Sequence, residues 1–282
     1  MTPVAIVTDS TSYLPRGVAA ERGIAVVPVQ VIVGGQPFDE TDDDQADRVA
    51  QALLEWQPVT TSRPSPERFS QALHAAADGG HGSAVIATLS AGMSATYESA
   101  VLAARQSPIP VEVIDSGTIA MGLGFAVLAG AQAAAEGQSA AQVAGIIAER
   151  AHRARVFFYV DTLEYLRRGG RVSAARAAVG QALQVKPLLT VHDGKVEQLE
   201  KVRTPSRALA RLEDLAVQAS SELGRVEVAV QHLAAPQRAA QLAERLANRL
   251  PDAPIVQCPV GGVVGAHVGP GMVAVIVAPA IA

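Results

Sequence analysis

The sequence predicts an α/β protein of two domains: an N-terminal βαβ domain on a parallel sheet and a C-terminal α/β domain on a mixed sheet. Three observations lead there. Short apolar runs alternate with helix-forming stretches through the first half, the pattern of right-handed βαβ crossovers. In the second half Leu188–Val202 reads as a β-hairpin turning at His192-Asp193-Gly194, which breaks the parallel rule. At 282 residues the chain also has length and core enough for two ordinary domains. A boundary near residues 153–157 divides it into 1–155 and 156–282.

In the first half, Val4–Val7 is a short buried strand ending at Thr8-Asp9-Ser10-Thr11, and Pro15 suits the first turn of a helix to about Arg22. Ile24–Val33 is a second apolar run that turns at Gly34-Gly35. Asp42-Asp43-Asp44 looks like a calcium loop at first sight. No glycine or glutamate follows at EF-hand spacing, so the cluster reads as an acidic start to the helix through Leu54. Val59–Ser65 is polar, Pro-bounded and dense in hydroxyls, and Ser65-Pro66-Glu67 starts a helix to about Ala77. Ser83–Thr88 is a strand, Leu89–Thr96 a small-residue loop, and a helix runs on to Arg105. Val111–Ile114 is a strand ending in Asp115-Ser116-Gly117, followed by helices to Glu136 and from Ser139 to about Arg153. Three strands thus end in hydroxyl-bearing loops, at Ser10-Thr11, at Ser90 with Ser94, and at Ser116. Ligands of open parallel sheets bind at that edge, although Ser and Thr there also serve as helix caps.

In the second half, Val156–Val160 is an apolar strand. Asp161 can cap a helix over Thr162–Arg168, and Gly169-Gly170 can end it in a left-handed turn. A helix-forming run, Ser173–Gln184, precedes the hairpin. Cations recur at element edges, at Arg168, Arg171, Lys186 and Arg203. A helix from Pro205 or Ser206 to Leu223, a strand Val226–Gln231, a helix Pro236–Leu250 and a strand Ile255–Gln257 follow. Val260–Gly271 is glycine-rich, with His267 just before Val268-Gly269-Pro270-Gly271, and Val273–Val277 is the last strand.

Composition narrows the function. Hydrophobic residues make up 49% of the chain and aromatics 4%, so Ala, Val and Leu must fill the core. A net charge of −4 argues against nucleic acid as partner. The single cysteine, Cys258, excludes an internal disulfide and fits a reducing cytoplasm. No charged-then-apolar leader precedes Val4, and no run approaches the ~20 apolar residues of a membrane span, so a soluble, cytoplasmic protein is expected.

Two catalytic motifs come close and fail. Gly122 and Gly124 follow a strand, but a G-x-G-x-x-G fingerprint needs glycine where Val127 stands, and no phosphate-binding G-x-x-x-x-G-K-[ST] loop exists. Those glycines read as sites of close helix packing. Gly92-Met93-Ser94-Ala95-Thr96 resembles the G-x-S-x-G nucleophile elbow, with His267 downstream. Thr96 replaces the second glycine, whose missing side chain permits the sharp turn. A serine hydrolase (esterase or thioesterase) using Ser94 and His267 is the alternative function.

The motif strings carry a more specific signal. DTLEYLRRGGRVS from Asp161, then G-x-x-L-x-V-K-P-L-L, then K-V-R-T at 201–204, resemble the DegV family. The resemblance runs from Thr8-Asp9-Ser10 to Gly269-Pro270-Gly271 and implies the two-domain, EDD-type fold of that family. It further implies a fatty-acid-binding subunit of a bacterial fatty acid kinase system. Such a protein is a carrier rather than an enzyme. It binds a long-chain fatty acid between its domains and presents the carboxylate to a separate ATP-dependent kinase. The acyl phosphate can then feed a phospholipid-synthesis acyltransferase.

Residue by residue, the family's T-S-x-P-S loop places a carboxylate-binding threonine at Thr61. Its S-x-G-x-S-G-T-Y loop places a serine at Ser94, and its histidine before G-P-G falls at His267. Ser62, Arg63, Gly92 and Thr96 extend these ligand loops. Arg171 and Arg203 occupy positions implicated in kinase recognition or phosphoryl transfer. The resemblance implies no metal and no cofactor of the chain's own, since the kinase supplies ATP and metal. Ala91, Ala95 and Arg63 depart from the family pattern, but the hydroxyls of Thr61 and Ser94 are kept. Chemically, a desolvated carboxylate needs several donors aimed at its two oxygens, and two hydroxyls and an imidazole supply them.

Overall fold

The computed structural model describes residues 2–40, 44–172 and 186–281. The helix expected over Ser173–Gln184, and most of the Asp42–Asp44 cluster, lie outside the described residues. The chain forms two compact units: residues 1–30 with 62–153, and residues 31–61 with 154–282.

The first unit holds β1 (Val4–Asp9), β2 (Ile24–Val27), β6 (Ser83–Thr88) and β7 (Val111–Asp115) in an all-parallel sheet ordered β2-β1-β6-β7. Its strands are apolar on both faces because helices cover both. Val4, Ile6, Val85 and Ala87 pack against α5 (Met121–Ala135) and α6 (Ala140–Arg153). Ala5, Val7, Ala84 and Ile86 pack against α3 (Pro66–Asp78) and α4 (Thr96–Ala104). A Cβ on Gly124 would lie 2.6 Å from the Ser12 carbonyl oxygen, so this glycine admits backbone, as its packing reading requires. The helix expected from Pro15 is reduced to α1 (Val18–Glu21). Asp9, fully buried at the end of β1, accepts from Thr11 N at 2.9 Å and Leu89 N at 2.8 Å, which ties β1 to the loop after β6. Ser90 and Ser116 accept local turn bonds from Gly92 N and Thr118 N, and Ser10 accepts from Val29 N nineteen residues on.

The second unit carries a six-stranded mixed sheet of β8 (Arg155–Tyr159), β9 (Lys186–His192), β10 (Lys195–Val202), β11 (Val226–His232), β12 (Ile255–Pro259) and β13 (Val273–Pro279). The order is β10-β9-β8-β13-β11-β12, antiparallel except between β11 and β12. The expected hairpin forms, and Asp193 (φ 47°) and Gly194 (φ 71°) give its turn two consecutive left-handed residues. One face of the sheet is sealed by α8 (Pro205–Leu223) and α9 (Pro236–Arg249), with Tyr159, Leu188, Val228 and Val275 at its centre. Thr204 caps α8 by accepting from Arg207 N at 3.2 Å.

Five features differ from the sequence reading. The apolar run Ile24–Val33 is two strands, because Pro28 interrupts it without an N–H to donate. Its second half, β3 (Gln30–Val33), joins β4 (Gln36–Asp39) and β5 (Val59–Ser62) in a three-stranded sheet ordered β4-β3-β5, so part of the polar stretch Val59–Ser65 is strand. Residues 31–61, including α2 (Asp44–Leu54), belong to the second unit, although they all precede the expected boundary at residues 153–157. The glycine-rich stretch contains a helix, α10 (Gly262–Val268). Finally, Asp161 does not cap α7 (Glu164–Arg168), whose N-cap residue is Leu163, and binds Lys186 and Arg238 instead.

Candidate functional site

Two residues 206 positions apart in sequence meet in the second unit. Thr61 stands near the end of β5 and His267 near the end of α10, and Thr61 Oγ1 lies 3.0 Å from His267 Nε2. Each element owes its place to its neighbours. β5 is anchored where Gly34 N donates to Pro58 O at 3.0 Å. The approach of α10 requires absent side chains: a Cβ on Gly265 would touch Leu233 at 3.1 Å, and one on Gly169, just past α7, would lie 2.2 Å from His267 Nδ1. At Gly269, φ is +76° and a Cβ would fall 2.2 Å from the Tyr165 ring, so no other residue fits the turn after α10.

Thr61 and His267 open on a cleft of about 450 Å³ that also takes in Leu53, Trp56, Tyr165, Arg168 and Arg171. Among the described residues no Asp or Glu lines it. Trp56 is 73% exposed, has a left-handed backbone (φ 60°), and lies under the Arg168 guanidinium at 5.5 Å. Arg171 is exposed and donates through Nη1 to the Gly169 carbonyl. Burial, and then the positive charge of Arg171, push His267 down to a pKa of about 4. The ring is therefore neutral near pH 7. Its Nδ1 is buried without a hydrogen-bond partner, and its Nε2 faces Thr61. The cleft thus offers a hydroxyl and an imidazole as short-range donors beside Arg171 and beside Arg168, which pairs with Glu164 at 2.7 Å, and this suits an anionic group.

The other sequence-predicted residues stand elsewhere. Ser62 and Arg63 follow Thr61 but do not line the cleft, and Arg63 is exposed. Ser94, Gly92 and Thr96 belong to the first unit, where Ser94 Oγ and Thr96 Oγ1 share a hydrogen bond of 2.9 Å. Arg203 is exposed in the turn between β10 and α8 and is not among the cleft residues. Trp56, Tyr165, Arg168 and Gly169 are cleft residues that the sequence reading gave no ligand role. Tyr165, Arg168 and Gly169 lie in the string DTLEYLRRGGRVS, while Trp56 carries no local signal. The geometry disfavours the hydrolase alternative. Ser94 lacks the left-handed backbone of a strained nucleophile turn, and no carboxylate orients His267 through Nδ1.

Comparison with known proteins agrees with the motif strings. The family model described as "Uncharacterised protein, DegV family" matches residues 3–280. The chain belongs to the DegV family. It is 48% identical over 275 residues to a DegV domain-containing protein of Streptomyces coelicolor, spanning 97% of this chain and 98% of that one. It is 37% identical over 276 residues to another from Mycobacterium tuberculosis, spanning 97% and 96%. Among solved structures it is similar to a DegV family protein from Thermus thermophilus described in terms of fatty acid binding. That match has a TM-score of 0.91 and 31% identity, and covers 99% of this chain and all of that one. DegV from Bacillus subtilis, described as a fatty acid binding protein, matches with TM-score 0.87, 27% identity and coverage of 99% and 100%. The α/β architecture with one parallel and one mixed sheet is that of these DegV structures. No described helix is long and apolar enough to cross a membrane.

Proposed function

We propose that this DegV family protein is a cytoplasmic carrier that binds one long-chain fatty acid and presents its carboxylate to a separate ATP-dependent kinase. The observation that carries this reading is the Thr61–His267 pair, 3.0 Å apart on a cleft whose described lining holds two arginines and no carboxylate. Thr61 Oγ1–H and His267 Nε2–H donate to the ligand's carboxylate oxygens, and Ser94 is assigned a third donor by the family pattern. Because His267 is neutral, the carboxylate is oriented without being locked into a tight ion pair, and an oxygen stays free to attack. In the transfer that oxygen bonds to the terminal phosphorus of the nucleotide while the bond to the diphosphate leaving group breaks. The product is an acyl phosphate, a substrate for a phospholipid-synthesis acyltransferase. The kinase brings nucleotide and metal; this chain binds and orients. Arg171, at the cleft, and Arg203 serve the kinase or the incoming phosphoryl group.

Affinity comes mostly from the tail. A 16-carbon chain offers roughly 11 kcal/mol from its methylenes before ordering costs, against ~1 kcal/mol for each neutral head-group donor. Mass spectrometry of lipid extracted from the purified protein should find a long-chain fatty acid at near-stoichiometric amount. A Thr61→Ala/Ser94→Ala protein should retain its fold but accept phosphate poorly in the presence of the kinase. Absence of extractable and of added fatty acid from the wild type would overturn the reading, as would wild-type phosphorylation of the double variant.

A further inference from the structure

The helix that carries His267 is a poor candidate to hold itself in place. α10 has seven residues, GVVGAHV, two of them glycine, and so short a segment has little helical stability of its own in water. Its position must come from the neighbours packed on it, such as Leu233, and from what grips its ends. At the N-terminal end the grip is Glu40, which follows β4 and is only 9% exposed. Its Oε1 accepts the Val263 N–H at 2.7 Å, across 223 residues of sequence. That N–H belongs to the first turn and has no intrahelical acceptor. At the other end the grip is Asp161. Its Oδ2 faces Arg238 Nη1 at 3.3 Å, and the same nitrogen donates to the Gly271 carbonyl at 3.2 Å. Its Oδ1 takes Lys186 Nζ at 3.0 Å and the Tyr159 hydroxyl, and Lys186 also donates to the Asp161 carbonyl at 3.1 Å. A Cβ on Gly271 would sit 2.2 Å from Asp161 Oδ2, so carboxylate and turn are in direct contact. Neither Glu40 nor Asp161 lines the cleft.

We propose that Glu40 and Asp161 are positioning residues for the carboxylate site: together they fix the two ends of α10 and so hold the His267 ring at hydrogen-bonding distance from Thr61. Glu40 sets how far α10 advances along its axis, because a buried N–H strands if the helix slides. Asp161 sets the angle at which the chain leaves the helix, because it ties the Gly269-Pro270-Gly271 turn to the end of β8 and the start of β9. The Gly169 backbone then closes the third side of the ring. The consequence for ligand rests on the proposed fatty-acid reading; the consequence for the ring does not.

The test separates the two. His267 is titrated by NMR of its ring nitrogens in ligand-free Glu40→Gln, Glu40→Asp, Glu40→Ala and Asp161→Ala proteins, and loss of pre-loaded palmitate is timed in each. Gln keeps an acceptor at full reach, so Glu40→Gln should titrate near the wild-type value of about 4 and hold palmitate normally. Ala has no acceptor, and Asp falls one methylene short. Both should move His267 toward its ordinary 6.5 and release palmitate about tenfold faster, as should Asp161→Ala. If Glu40→Ala does not fold, the Gln–Asp contrast decides alone. Folded Asp and Ala variants with wild-type His267 titration would overturn the proposal. So would a Gln variant as perturbed as Ala, because charge rather than reach would then matter. Should the wild type bind no palmitate, the carrier reading fails, while the titrations still decide the positioning.

Discussion

Lowering the pH of the ligand-free protein from 7 to 5 should remove about 2 kcal/mol of stability through His267 alone. The folded ring resists protonation down to about pH 4, first because it is buried and then because Arg171 is near, whereas an ordinary histidine titrates at 6.5. Between those values the unfolded chain binds the proton and the folded chain does not, so stability rises with pH across the window. The contribution is complete above pH 6.5 and is lost as pH falls toward 4. At about 1.4 kcal/mol per pKa unit the full window is worth about 3 kcal/mol, of which about 2 lies between pH 7 and 5. The assay is urea unfolding of wild type and His267→Gln at both pH values. His232, half-buried and also pushed down by burial, titrates with the same sign in both proteins and cancels from the double difference. The wild type should lose about 2 kcal/mol more than the variant. Equal losses would mean that the imidazole is not held as a buried neutral base, and the donor arrangement built on it would fall.

Gly169→Ala adds a methyl group 2.2 Å from His267 Nδ1 at an ordinary backbone conformation (φ −73°), so it should turn the ring away from Thr61 and speed palmitate release about tenfold. Unchanged release would show that the ring has room to spare. Trp56 is the protein's one tryptophan, so its fluorescence should report a water-exposed indole that Arg168→Ala perturbs and that acrylamide quenches readily. A blue-shifted, protected emission would contradict its place at the cleft. Removing four methylenes from the ligand should weaken binding about a hundredfold; equal affinity for octanoate and palmitate would rule out a deep acyl site. Arg203→Ala and Arg171→Ala should abolish kinase-dependent phosphorylation while fatty acid still co-purifies, and joint loss of lipid and activity would move these arginines into the lipid site.

What the sequence reveals follows from how local each determinant is. The parallel unit is legible because β1, β6 and β7 are short Val/Ile/Ala runs separated by helices with their own start signals, such as Ser65-Pro66. The hairpin is legible because Asp193-Gly194 specifies its turn within two residues. By contrast α10 reads as a loop because five glycines crowd the stretch Val260–Gly271. Its helicity depends on Glu40, Leu233 and Gly169, all far away in sequence. The three-stranded sheet is hidden for a similar reason, since β4 carries Pro37 and β5 is mostly hydroxyls, so neither has a strand's apolar signature. Asp161 stood at a plausible cap position, and only the fold reveals Lys186 and Arg238 as stronger partners. Thr61 and His267 were reachable through the family's motifs, whereas Trp56 lies in none of the motif strings and joins the cleft only through the fold.

The interleaving of the two units bears on biosynthesis. Thr61 leaves the ribosome 206 residues before His267, a delay of about 10–40 s at bacterial-like rates of about 5–20 residues per second. Once residue 115 has been made every strand of the parallel sheet is present, yet residues 31–61 still lack the partners they fold with, which begin at residue 154. During that interval β3 presents Val31 and Val33, both buried in the finished protein, without the rest of its unit. The last side chain of the Thr61–His267 pair to be made is the imidazole.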